Sequence, residues 1–212
     1  GRPARLGHVW NSDWPDGEPD DDTLRRTSAP ETELPVALPQ NVLLARTDDT
    51  VVALLGMHVY STGLAFDLAV RVRPGSLSGT ELHDVLWRES PGAPPLLLGL
   101  ELADGTRVHN AAADSGWGGD VVFTQRGGTG SEHSVDHAWW LSPLPPAGPL
   151  TVVVWCPELG LPETSSVLDG TAIRAAADGV VELWPWEPPR RPDPDRPRAP
   201  LEIPDDSWFA GR

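Results

Sequence analysis

Residues 51–73 read VVALLGMHVYSTGLAFDLAVRVR, two runs of alternating character on either side of the triplet Ser61-Thr62-Gly63. In the second run Leu64, Phe66, Leu68, Val70 and Val72 alternate with Ala65, Asp67, Ala69, Arg71 and Arg73. Successive side chains of an extended chain point to opposite faces, so this pattern marks a half-buried antiparallel strand. The first run offers Val51, Ala53, Leu55, Met57 and Val59 as its apolar set. A short turn suffices to fold one run onto the other, with Gly63 free to supply a positive φ.

Outward from this hairpin, strand-like segments recur at 41–46, 50–60, 64–73, 96–102, 106–109, 120–125, 136–141, 150–156 and 164–168. Asp48-Asp49 and Asp104-Gly105 are tight-turn signals between neighbours. Short strands at this spacing define an all-β fold, an antiparallel β-sandwich of about 7–9 strands. Two short helices should interrupt it. Ser78-Gly79-Thr80-Glu81 has the form of a capping box, followed by Leu82, Val85 and Leu86 at helical spacing. The second helix spans about residues 170–178, with Asp169 as N-cap and Ile173, Ala176 and Ala177 on its apolar side. Val180-Val181-Glu182-Leu183-Trp184 should then close the domain.

The apolar periodicity is confined to residues 36–186, one domain's worth of chain. Residues 1–35 form an acidic segment and residues 187–212 a Pro-rich tail; both are expected to be flexible or to lie extended over the core. The chain carries 31 acidic and 16 basic residues, net −15, and most of the excess lies within the domain. That field repels a phosphate backbone or an anionic bilayer, which excludes nucleic acid and membrane as expected partners. Every basic residue is Arg, a uniformity that looks like genomic codon bias and argues against reading single arginines as recognition groups. Cys156 is the one cysteine, so no intramolecular disulfide can form, and its place in the run 152–156 reads as a small strand hydrophobe. No apolar run approaches the ~18 residues needed to span a bilayer, and the expected location is a reducing cytoplasm.

The runs YSTGLAF (60–66), WLSPLPPAGPL (140–150) and LPET (161–164), with Leu168-Asp169-Gly170 and Leu183-Trp184-Pro185, resemble a group of small uncharacterised actinobacterial β-rich proteins. The resemblance covers about residues 36–186. It implies a soluble β-rich fold and an actinobacterial source, and supplies no activity or site.

The densest cluster of ligand-type side chains is Glu132-His133-Ser134-Val135-Asp136-His137. On a helix His133 and His137 would share one ion, with Asp136 or Glu132 assisting a metal-dependent hydrolase. On a strand the two residues stand about 13 Å apart, too far for one metal, and a polar loop entering a strand is the expected reading. No metal or other cofactor is therefore expected. Gly116-Trp117-Gly118-Gly119 and Gly127-Gly128-Thr129-Gly130 lack the strand-to-helix context of a phosphate loop and read as flexible hairpin connections. No Gly-x-Ser-x-Gly elbow occurs.

Tryptophan is in excess, ten residues against one Tyr and three Phe. Trp87 and Trp155 read as core or near-core. Adjacent Trp139 and Trp140 must point to opposite faces of a strand, one inward and the other outside or under a terminal segment. Exposed Trp117 or Trp139 could stack on a sugar, while Trp208 and Phe209 would form an aromatic anchor at the end of the tail. The expectation is a non-catalytic protein-interaction or structural module, homo-oligomeric or bound to a protein partner through a sheet edge or these tails. A carbohydrate- or small-ligand-binding sandwich is the alternative.

Overall fold

In the computed structural model, which describes residues 21–77, 81–87, 95–111, 120–188 and 207–209, the 51–73 stretch forms the hairpin that organises the molecule. Helix α1 (Asp21–Thr27) and the short strands β1 (Glu33–Leu34) and β2 (Val36–Leu38) precede β3 (Val42–Arg46), β4 (Thr50–Val59) and β5 (Leu64–Val72). Helix α2 (Leu82–Leu86), β6 (Leu97–Glu101), β7 (Arg107–His109), β8 (Val122–Gly130) and β9 (Ser134–Ser142) follow. The chain continues through β10 (Pro149–Cys156), β11 (Leu161–Asp169), α3 (Gly170–Ala176) and β12 (Val181–Glu182).

Two open antiparallel sheets face each other as an all-β sandwich. One has the order β2-β4-β5-β9-β8, with β3 also paired to β4; the other runs β11-β10-β6-β7. The inner faces contribute Leu54, Phe66, Leu68 and Trp139 from the first sheet and Leu98, Leu100, Val152 and Val154 from the second to one buried cluster. Each such aliphatic side chain gains about 1.5–3 kcal/mol on leaving water, which holds the layers together. Val85 and Leu86 of α2 and Ile173 of α3 join the same cluster. Asp169 caps α3 as its sequence position demands, its Oδ1 accepting from the Thr171 and Ala172 amides at 2.9 and 3.1 Å.

Several expectations change. In β4 the inward residues are Val52, Leu54, Met57 and Val59, so Val51, Ala53 and Leu55 point outward. The phase break comes from a β-bulge: Leu55 faces Asp67 and His58 faces Ala65, leaving Gly56 and Met57 opposite Phe66 alone. Gly56 takes φ +56° there, whereas Gly63 is not among the positive-φ glycines. Gly63 is required for space instead, since a Cβ would lie 2.3 Å from the Leu141 carbonyl and 2.6 Å from the Trp140 ring.

Gly127, Gly128, Thr129 and Gly130 continue β8 rather than forming a loose connection, pairing with Val135 to Ala138. A Cβ on Gly128 or Gly130 would come within 2.8 Å of the Trp87 ring, so the bare backbone makes a slot for that indole. At α2, Ser78 to Thr80 lie outside the described residues. Glu81 makes no side-chain cap, and the Leu82 amide instead donates to the Glu132 carbonyl at 2.9 Å.

Residues 180–184 do not close the core. β12 pairs only with the two-residue β1, and Val181, Leu183 and Trp184 are exposed. Within the acidic N-terminal segment, residues 21–27 are helical and residues 26–29 cover the outer side of β9, where Trp140 is fully buried and its Nε1–H donates to the Arg26 carbonyl at 2.7 Å. Among the described residues no helix is long and apolar enough to cross a membrane.

Candidate functional site

The outer face of the six-stranded sheet carries a depression of about 280 Å³ lined by Gly56, His58, Ala65, Phe66, Asp67, Arg126, Ala138 and Trp139. Its floor is small because Ala65 and Ala138 are the outward residues of the two central strands β5 and β9. Its rim is placed by two bulges. The first, at Gly56-Met57, reverses the alternation of β4 so that His58 projects outward beside Ala65. The second is in β8, where Gln125 faces Trp139 and Gly127 faces Ala138, so that Arg126 is the extra residue. Both bulges adjoin one cross-strand row, Leu55–Asp67–Ala138–Gly127. Paired bulges at one level bend a sheet and re-aim side chains, and they occur disproportionately beside functional sites.

The electrostatics distinguish two neighbouring carboxylates. Asp136 receives both Nη2 bonds of Arg71, at 2.8 and 3.1 Å, while Nη1 of the same arginine donates to the Val70 and Val135 carbonyls. Among the described residues Asp67 has no such cation. Burial, and then the neighbouring Asp136 charge, raise its pKa above the ordinary carboxylate value; His58 opposes them. A Cβ built on Gly56 would sit 3.7 Å from Asp67 Oδ2 and 3.8 Å from His58 Cε1, so these two side chains converge above the bulge.

The outer face of the four-stranded sheet is different in kind. Trp155 lies opposite Leu97 and Val153 opposite Gly99, with Val167 and Ser165 on the flanking β11. Trp155 is 41% and Val167 67% exposed, so Trp155, expected in or near the core, is a surface residue. Strand alternation explains it: Val152, Val154 and Cys156 take the inward positions of β10. Arg107 pairs with Glu101 at 2.5 Å here, and β11 adds two further carboxylates on this side, Glu163 and the α3 cap Asp169, towards its two ends.

Sequence reasoning names other residues. Trp139 offers no platform, because it is buried in the sandwich and stacked on Phe123 with centroids 4.9 Å apart. Trp117 lies outside the described residues. Trp208 and Phe209 are 89% and 73% exposed and meet edge to face at 5.0 Å. His133, His137 and Asp136 are not brought together. His137 is buried on the inner face against Trp87, Asp136 points outward to Arg71, and His133 sits in the β8–β9 turn beside Glu132. Among the described residues no group of three or more His, Cys, Asp and Glu side chains has metal-binding geometry. Burial also pushes the Cys156 thiol up to about 11, which keeps it protonated and inert.

His58, Asp67 and Arg126 are not singled out by any spacing in the chain. Their signals are indirect, a glycine inside an apolar strand at Gly56 and a lone arginine before Gly127-Gly128. In comparisons with protein-family models, curated proteins and solved structures, nothing matches the chain.

Proposed function

We propose that this protein is a non-catalytic β-sandwich interaction module that self-associates through the outer face of its four-stranded sheet. The observation that carries this reading is the exposure of Trp155 and Val167 beside Leu97 and Val153 at the middle of a sheet face whose charges lie towards its margins. An apolar face on an otherwise charged surface marks a contact site. A second copy is the favoured occupant because sheet faces stack on one another at about 10 Å, and a twofold axis lets one patch serve both subunits. Two chains of net −15 repel at long range; on this face Arg107 offsets Glu101, while Glu163 and Asp169 stand towards the ends of β11.

The size of the face sets the strength. Four strands about 4.8 Å apart and five residues long cover about 300 Å², well under the ~800 Å² per partner of a standard interface. The dimer is therefore dissociable, with a Kd of roughly micromolar or weaker. Two of the sheet edges are poorer candidates: β7 is three residues long and β8 is broken by its bulge, devices that discourage strand addition. The module works in the cytoplasm, where a single buried thiol needs no partner. Native mass spectrometry across a concentration series tests the reading. Wild type should populate a dimer that Val167→Asp removes without lowering Tm, and an unaltered dimer in that variant would dismiss the face.

A further inference from the structure

Independently of self-association on the opposite sheet, we propose that the depression between the two bulges binds a small zwitterion of amino-acid size, its ammonium group at Asp67 and its carboxylate at Arg126. Three observations converge on this. The first is construction: β4 and β8 each spend one extra residue at the same level of the sheet, and the outcome is that His58 and Arg126 flank a floor of two alanines. The second is unspent pairing capacity. Among the described residues no hydrogen bond or ion pair joins the Asp67 or Arg126 side chain to a neighbour, although the adjacent Asp136 is fully engaged by Arg71. The third is size: about 280 Å³ is at the lower limit of ligand sites, enough for a few-carbon molecule and too little for a peptide or an oligosaccharide.

The chemistry excludes the neighbouring classes. A dianion such as phosphate would meet Arg126 favourably but would be repelled by Asp67, already under the field of Asp136. A simple cation would meet the reverse conflict. A sugar is normally received by an aromatic face, and here the floor is alanine. A molecule with both charges satisfies Asp67 and Arg126 at once. Two interstrand steps separate Asp67 from the edge strand, about 10 Å between backbones, leaving a few-carbon gap once both side chains lean over the floor. The arginine offers a planar fork suited to a carboxylate, and a charge-assisted bond is about twice as strong as a neutral one. His58, on the Asp67 side, adds a ring nitrogen within reach of the ammonium end.

The test uses the full chain with the methyl groups of Ala65 and Ala138 observed by NMR. The ligands are free α- and ω-amino acids of increasing length, alongside amines and carboxylic acids of the same carbon skeletons. At least one amino acid should shift both methyls, with its amine and acid counterparts bound about tenfold more weakly or worse. Arg126→Gln and Asp67→Asn should each weaken that amino acid about tenfold, and Ala138→Leu should abolish the shift of the remaining Ala65 methyl while the melting transition stays cooperative. Absence of any methyl shift up to ~10 mM ligand overturns the proposal, as does binding that neither charge-removing variant alters.

Discussion

His137 should make the fold acid-labile over a defined range. The imidazole is buried on the inner face of β9, edge-on to Trp87 at 4.7 Å, and its Nε2 has no hydrogen-bond partner among the described residues. Burial holds its pKa down to about 4 against the usual 6.5, with Asp136 opposing weakly. The unfolded chain therefore binds the proton first. Between those two values the unfolded state carries more protons, so stability is full above pH 6.5 and is lost as the pH falls toward 4. A tenfold difference in proton affinity between the folded and unfolded chains is worth about 1.4 kcal/mol, which sets the loss at ~3 kcal/mol by pH 4. The assay is urea unfolding at a series of pH values on wild type and His137→Leu, a replacement needing no hydrogen bond. The wild-type stability should fall by ~3 kcal/mol relative to the variant between pH 7 and pH 4. Parallel pH profiles for the two proteins would refute the reasoning, because every other titrating group is common to both.

Other outcomes follow from single contacts. Gly63→Ala places a methyl 2.3 Å from the Leu141 carbonyl and should cost ~2–4 kcal/mol in chemical denaturation, while Gly105→Ala, with open space around it, should cost only its φ strain. Gly128→Ala should displace the Trp87 ring, read as a shift in tryptophan emission together with lowered Tm. Asp169→Ala should remove about 1 kcal/mol by uncapping α3, and Asp169→Asn much less, as measured by urea midpoints. Cys156 should react with a thiol reagent at neutral pH only at the rate of unfolding, and a fast second-order reaction would contradict its burial.

Alternation carried most of the architecture. β5 and β10 have inner faces that can be read directly, and the turns at Asp48-Asp49 and Asp104-Gly105 form as their residues dictate: Thr47 Oγ1 accepts from the Thr50 amide, and Asp104 Oδ1 from that of Thr106. What alternation cannot show is a change of phase. The bulge at Gly56-Met57 shifts β4 by one residue, so an apolar set read straight through from Val51 to Val59 assigns the first half to the wrong face. The glycines of β8 look like a loop because strand propensity is a statement about side chains, and here the side chain filling the space is Trp87 from elsewhere in the chain. Trp140 follows the rule for adjacent residues, and the segment covering it supplies a backbone carbonyl that carries no signal in sequence. The depression was illegible for a similar reason. His58, Asp67 and Arg126 come from three strands and meet only through pairing register.

The measurement that bears most directly on the interaction-module reading is sedimentation velocity of the wild-type chain at low and at high ionic strength. Two copies of a chain of net −15 joined by an apolar face repel at long range and attract only at contact, so added salt should screen the repulsion and increase the dimer fraction. A chain that stays monomeric at every concentration, or a dimer that salt dissociates, would contradict association through Trp155 and Val167.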